Sequence, residues 1–236
     1  MQSYNPNKAP SIPVLPDNIT INMLLEHNTN LKNIPLGIYK EDLKKAYYNF
    51  ETDKGTILSS NDLEILPIFI GYLIKIFKKV NTKVVLFDCE NLMTNYINLV
   101  DKYYNDDLNN VVSDMVGSLE SSLSNYSDKI VFIVLGLEKI KTSVETNKFN
   151  EFIKLLKKIT NIELIVCDSS YKFKKYMFES WYSEVFVNAN GIWIGNGIVD
   201  QGVIRIAELS KKYRASITND YGWIIKNGMG NLVKFI

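Results

Sequence analysis

The residues best placed for chemistry stand where apolar runs stop. The stretch Gly55 to Lys79, GTILSSNDLEILPIFIGYLIKIFKK, joins an apolar strand to a small-residue loop and then to a long apolar segment. That is the layout of a phosphate-binding loop, GxxxxGK[ST] between a strand and a helix. In such a loop backbone N–H groups wrap the phosphates, the lysine neutralises their charge and the hydroxyl holds magnesium. The corresponding positions here are Leu58, Ser59, Ser60, Asn61, Asp62, Leu63 and Glu64. They supply no glycine, no lysine and no hydroxyl at the helix start. Asp62 and Glu64 put two carboxylates where the phosphates would lie. That placement favours the helix dipole and opposes a bound triphosphate. Ser60 or Asn61 is expected to cap the helix.

The other strand ends are equally sparing. VVLFD ends in Asp88, a common position for an aspartate and a weak match to a magnesium-holding strand. The next apolar run, KIVFIVLGLEKI, places Val134, Leu135 and Gly136 where paired acids would stand, and Glu138 comes too late to serve. A metal-polarising carboxylate is therefore missing from that position. GIWIGNGIVDQG holds Gly195-x-Gly197 and then Gly202, which is not GxGxxG; a tight turn with Asp200 as a helix cap is the expected use. Nucleophilic catalysis finds little support. There is one histidine, His27, no GxSxG elbow, and the two cysteines, Cys89 and Cys167, follow apolar runs that should bury them. CDSSYKFKKYMFESWY interleaves aromatics with Lys172, Lys174 and Lys175. That mixture can bind single strands, but three lysines on a neutral chain are expected to form a solvated helix face.

The elements that must position these residues follow from periodicity. Four continuous apolar runs, KGTILSS, TKVVLFDCEN, DKIVFIVLGLEKI and IELIVCDSS, read as strands. Strands apolar on both faces, alternating with helices, indicate a parallel sheet covered on both sides. DLEILPIFIGYLIKIFKKV is apolar all round and predicts a buried helix, with Pro67 in its first turns. Val111, Val112, Met115, Leu119 and Leu123 recur at helical spacing, and TNKFNEFIKLLKKIT is amphipathic. Ile34 to Phe50 partly alternates and suits a hairpin at a sheet edge. YKFKKYMFESWY predicts a short helix and EVFVNANGIWIGNG two short strands. VDQGVIRIAELSKKY predicts a further helix, and YGWIIKNGMGNLVKFI a closing hairpin turning at Asn227-Gly228.

Composition bounds the alternatives. The 236 residues suit one large domain, and an apolar fraction of 46% supplies its core. A net charge of +1 and only two arginines, Arg205 and Arg214, give no field for nucleic acid. No CxxC pair suggests a zinc site, and no apolar run approaches a bilayer-spanning length. Residues 1–16 hold Pro6, Pro10, Pro13 and Pro16 and read as a linker from an upstream domain, with 17–236 as one domain.

The order of these pieces resembles the FtsK/SpoIIIE-type ATPase domains of type VII secretion systems, the EssC and EccC proteins. It is most similar to the last of three tandem domains. The resemblance is carried by SIPVLPDNI as an inter-domain linker, IPLGIYKEDL as an opening hairpin and GTILSSNDLEIL at the Walker A position. TKVVLFDCEN stands at the strand ending in aspartate, IVFIVLGLEKI at Walker B, IELIVCDSS at the later sensor-like strand, and GIWIGNGIVDQ and YGWIIKNG at the closing strands. It covers nearly the whole chain. It implies a RecA-like P-loop NTPase fold, mainly parallel, with helices on both faces and a closing hairpin. The family's catalytic residues do not carry over: Ser59, Ser60, Asn61, Asp62, Leu63 and Glu64 form a degenerate Walker A position, and Leu135 and Gly136 a degenerate Walker B position. The resemblance therefore implies a non-catalytic domain that binds no ATP and holds no metal, within a parent ATPase anchored at the cytoplasmic face of the membrane. Implied partners are WXG100-type secretion substrates and the parent's upstream ATPase domains, in a hexameric assembly; nucleic acid is not among them. An apolar groove for a helical secretion signal is expected along Tyr176, Met177, Phe178, Trp181 and Tyr182, and along Ile204 to Leu209. The alternative is a P-loop-derived domain that binds nucleotide together with a neighbouring domain.

Overall fold

In the computed structural model, which describes residues 14–51, 55–122 and 128–236, the expected strands join one ten-stranded sheet. The strands are β1 (Ile34–Tyr39), β2 (Lys45–Tyr48), β3 (Gly55–Ser60), β4 (Lys83–Asp88), β5 (Lys102–Tyr104), β6 (Ile130–Leu135), β7 (Ile162–Ser169), β8 (Gly191–Ile194), β9 (Tyr221–Lys226) and β10 (Met229–Phe235). The helices are α1 (Ile21–Leu24), α2 (Leu66–Lys79), α3 (Leu108–Ser122), α4 (Leu137–Ser143), α5 (Thr146–Lys158), α6 (Ser170–Phe173) and α7 (Ser180–Val185). The sheet order is β2-β1-β10-β9-β8-β3-β7-β6-β4-β5. Five of the nine pairings are parallel, running without a break from β8 to β5. The other four are antiparallel: the opening hairpin, the closing hairpin and the pairings that join them to β8.

Successive strand side chains point to opposite faces, so each apolar run feeds two cores. Ile57, Phe87, Phe132, Val134, Leu164 and Val166 face the helices α3, α4, α5 and α7. Leu58, Leu86, Ile133, Leu135, Ile165 and Cys167 face α2 and the N-terminal hairpin. Helix α2 buries Leu66, Phe69, Ile70, Tyr72, Leu73, Ile74, Ile76 and Phe77, with Pro67 in its first turn, where a missing N–H costs nothing. The closing hairpin turns at Asn227 and Gly228, both at positive φ.

Several expectations are corrected. The helix predicted over 199–213 is absent; only Lys211–Arg214 form a short 3-10 turn. Gln201 explains this. Its Oε1 accepts from the N–H groups of Val203 and Ile204, both at 2.7 Å, in competition with helical bonding. Farther along, Arg205 N donates to Asn188 O and Ala207 N to Gly228 O, so the segment bonds to distant chain instead of to its own turns. Asp200 consequently caps no helix. The aromatic stretch after β7 forms two short helices, α6 and α7, rather than one. EVFVNANGIWIGNG gives one strand, β8, and a single bridge from Phe186 to Gly55. The edge strand β5, Lys-Tyr-Tyr, is too short to carry a readable pattern. Residues 1–13 of the expected linker, and Leu123 of the helically spaced apolar set, lie outside the described residues.

Candidate functional site

The carboxyl ends of β3, β4, β6 and β7 bring the candidate residues together, the place where open α/β sheets hold ligands. The loop after β3 is closed by its own side chains. Ser60 Oγ accepts from Asp62 N at 3.0 Å, and Asp62 Oδ1 accepts from Glu64 N at 2.9 Å. Asp62 is thus the cap of the turn Leu63–Ile65 that leads into α2, not Ser60 or Asn61. Ser59 Oγ donates to Asp168 O at 2.9 Å, which ties β3 to β7. Asn61 accepts from Ser170 Oγ at 2.9 Å. On its other side Asn61 Nδ2 fills the space over Gly197, where any Cβ would collide with it. Gly197 has φ +89, so glycine is required there for both reasons.

The end of β6 is apolar as expected. Leu135 is fully buried on the α2 side of the sheet, in one cluster with Leu66 and Ile70. Gly136 follows at φ +85, and its missing side chain leaves room for Glu90. Asp88 is committed to structure. Its carboxylate accepts from Leu92 N at 2.9 Å, Met93 N at 2.7 Å and Tyr103 OH at 2.7 Å, fixing the turn after β4.

The sequence reasoning singles out neither Asp168 nor Glu90, and it expects Lys172 on a solvated helix face. Asp168 ends the apolar run of β7, beside Ser59 in the sheet register. It is buried, its Oδ1 accepts from Ser169 N at 2.8 Å, and its Oδ2 has no hydrogen-bond partner among the described residues. Burial pushes its carboxyl up to about 6, against the opposing pull of Lys172 and the Ser169 N–H. Lys172 reaches Glu90 Oε1 at 2.5 Å and Asp168 Oδ1 at 3.8 Å. Burial works against the Lys172 ammonium, but the bond to Glu90 and the nearby carboxylates outweigh it and hold it above its ordinary range. Lys172 is therefore not on a solvated helix face. Lys175 pairs with Glu138 Oε1 at 2.7 Å. A signal existed: Asp168 and Lys172 are spaced i,i+4 across the strand-to-helix junction.

The remaining candidates are dispersed. Tyr176, Trp181 and Tyr182 are buried, with Trp181 packed edge-on against Phe149, while Met177 is half-buried and Phe178 is 95% exposed. Ile204 is buried and Leu209 exposed, so that segment forms no helical groove wall. His27 is exposed. Burial, the largest influence, pushes the Cys89 thiol up to about 12 and Cys167 well above its usual range, which makes both poor nucleophiles. No group of His, Cys, Asp and Glu among the described residues is arranged to hold a metal ion. No helix among them is long and apolar enough to cross a membrane.

No protein-family model matches the sequence, and no curated protein matches it. Solved structures do match. The cytoplasmic domain of the Thermomonospora curvata type VII secretion ATPase EccC superposes with a TM-score of 0.71 at 15% identity, covering 96% of this chain and 29% of that one. ATPases 2 and 3 of the same organism's EccC, in complex with a signal sequence peptide, give 0.70 at 16% identity, covering 96% and 44%. ATPases 2 and 3 of Geobacillus thermodenitrificans EssC give 0.72 at 13% identity, covering 95% and 45%. The fold is that of these ATPase domains. At such identities the likeness concerns the fold, and the chain spans less than half the length of each of these structures.

Proposed function

We propose that this chain is a non-catalytic docking or regulatory domain of a type VII secretion ATPase, corresponding to the last of its tandem ATPase domains. One observation carries the reading. In the loop after β3 the groups that would meet phosphate are already engaged, and Asn61 is seated between Ser170 and Gly197. A triphosphate entering there would have to displace these bonds and face Asp62 and Glu64 without a lysine. Leu135, buried under α2, offers no acid for magnesium. On this reading the domain takes no ATP and no metal, and its parent is anchored at the cytoplasmic face of the membrane.

A domain that keeps the sheet and loses the chemistry still offers surface. The partner proposed is a helical secretion signal of the WXG100 class, gripped through apolar anchors at i, i+3 and i+4. The EccC structure bound to a signal sequence peptide supports a peptide partner for this fold. The contact would centre on exposed Phe178 and half-buried Met177, with Tyr176, Trp181 and Tyr182 supporting them from beneath. The upstream ATPase domains of the parent, in a hexamer, are the second proposed partner. The competing reading is nucleotide held jointly with a neighbouring domain, through backbone amides of this chain and the neighbour's residues.

Fluorescence anisotropy with a labelled WXG100 C-terminal peptide tests the docking reading. The expected result is weak binding that is insensitive to ATP and to salt and is reduced by Phe178→Ala. Affinity that collapses with salt would place the contact on a charged surface instead. Failure of every helical signal to bind would remove the substrate role.

A further inference from the structure

The segment 170–186 leaves the sheet at the end of β7 and carries Tyr171, Tyr176, Phe178, Trp181 and Tyr182. Its two helices, of four and six residues, are too short to be stable alone. Its aromatic side pins it to the core. Its polar side is held by ion pairs: Lys172 with Glu90 and Asp168, Lys175 with Glu138, and Glu179 with Lys141 from α4. Lys172 is the most enclosed of these lysines; its side chain is 24% exposed, against 16% for Glu90 and 2% for Asp168.

The geometry of Lys172 is informative. Glu90 lies in the turn after β4 and Asp168 at the end of β7, and β6 separates those two strands. One ammonium therefore links two strand ends that do not pair with each other. A ligand seated beyond the carboxyl ends of such a sheet would make the same kind of bridge. Gly136 at the end of β6 opens the gap through which Glu90 reaches it.

We infer that Lys172 is a built-in cation that takes a ligand's place at the carboxyl edge, tying Glu90 to Asp168 and latching the aromatic segment 170–186 to the sheet. The aromatic surface is then fixed without nucleotide or metal. The inference rests on the reading that no nucleotide–metal complex uses this edge. The groups facing Asp168 are Lys172 from α6, Glu90 and Cys89 from the turn after β4, Glu138 from α4, and Cys167 and Tyr176. Lys139 also faces Glu90, at 3.7 Å, but half of its side chain is exposed, so water screens it and Lys172 carries the latch.

Hydrogen–deuterium exchange read by mass spectrometry tests this, because local opening is reported segment by segment. In Lys172→Met, amide exchange across 170–186 should rise about tenfold or more, while the peptides of β1 and β10 keep their wild-type rates. Asp168→Asn alone should leave the segment protected, since Glu90 still holds the lysine. Asp168→Asn combined with Lys172→Met should exchange more slowly than Lys172→Met, because one uncompensated carboxylate is gone. Should Lys172→Met fail to fold, Glu90→Gln is the milder variant, with a several-fold rise confined to 170–186 and the turn after β4. Wild-type exchange in that segment after loss of Lys172 or Glu90, or a rise spread evenly over the chain, would overturn the latch. ATP with magnesium slowing wild-type exchange at residues 59–64 would overturn the nucleotide-free reading and leave the latch, measured without nucleotide, standing.

Discussion

The loop after β3 and the end of β7 lie side by side, with Ser59 in register with Asp168, yet they treat polar groups in opposite ways. In the loop, Ser60, Asn61 and Asp62 each have a partner close at hand. At the end of β7, Asp168 is buried with one oxygen unpartnered among the described residues and its carboxyl held up to about 6. Buried polar groups are normally satisfied, and an exception marks a place where stability has been given up. The loop satisfies its polar groups with one another and with Ser170. The neighbouring strand end keeps a costly charge and spends it on Lys172.

The largest effect tests the apolar side of that comparison. Leu135→Ala should cost roughly 2–5 kcal/mol in denaturant unfolding, because a fully buried leucine leaves a cavity under α2. Leu135→Asp should yield no folded protein. A folded, stable aspartate variant would mean that the end of β6 is open to water and that the contrast with Asp168 is false.

Asp168→Asn tests the charged side. Lifting an aspartate from 3.8 to about 6 corresponds to up to about 3 kcal/mol of unfavourable charge burial at neutral pH. The variant should therefore be more stable than wild type at pH 7. The sign for wild type follows. The folded chain holds this proton more tightly than the unfolded chain, so the associated stability is full below pH 3.8 and lost as pH rises through about 6. Thermal melts of the two proteins should converge as the pH is lowered from 7 to 4. Parallel curves would show that Asp168 is not the group responsible.

The smallest effect sharpens the reading of the loop. Asp62→Ala should cost about 1 kcal/mol, the usual loss for a helix cap, with no change in the rest of the site. A loss of several kcal/mol would show that Asp62 supports more than the turn it caps.

Much of this arrangement is legible in the sequence where apolar periodicity is strong. The runs of β3, β4, β6 and β7 place their ends at one edge, and Leu135 is core by its position in KIVFIVLGLEKI alone. What could not be read depends on partners distant in the chain. Lys172 looks like one of three solvated lysines until β4 brings Glu90 to it across 82 positions. Residues 199–213 have helical periodicity, but Gln201 and the backbone of Asn188 and Gly228 claim their hydrogen bonds. Tyr176, Trp181 and Tyr182 carry the composition of a binding surface, but all three are buried: Trp181 packs on Phe149 of α5, which the local sequence does not contain, and Tyr176 and Tyr182 pack on Trp181.

The most direct test of the account is isothermal titration of ATP with magnesium into the wild-type chain. No binding heat at millimolar nucleotide is the predicted result, because on the proposed reading Asp62 and Glu64 stand where the phosphates would lie and no lysine stands in the loop. A dissociation constant of about 1 mM or tighter, lost when Asn61 or Asp62 is changed, would contradict it.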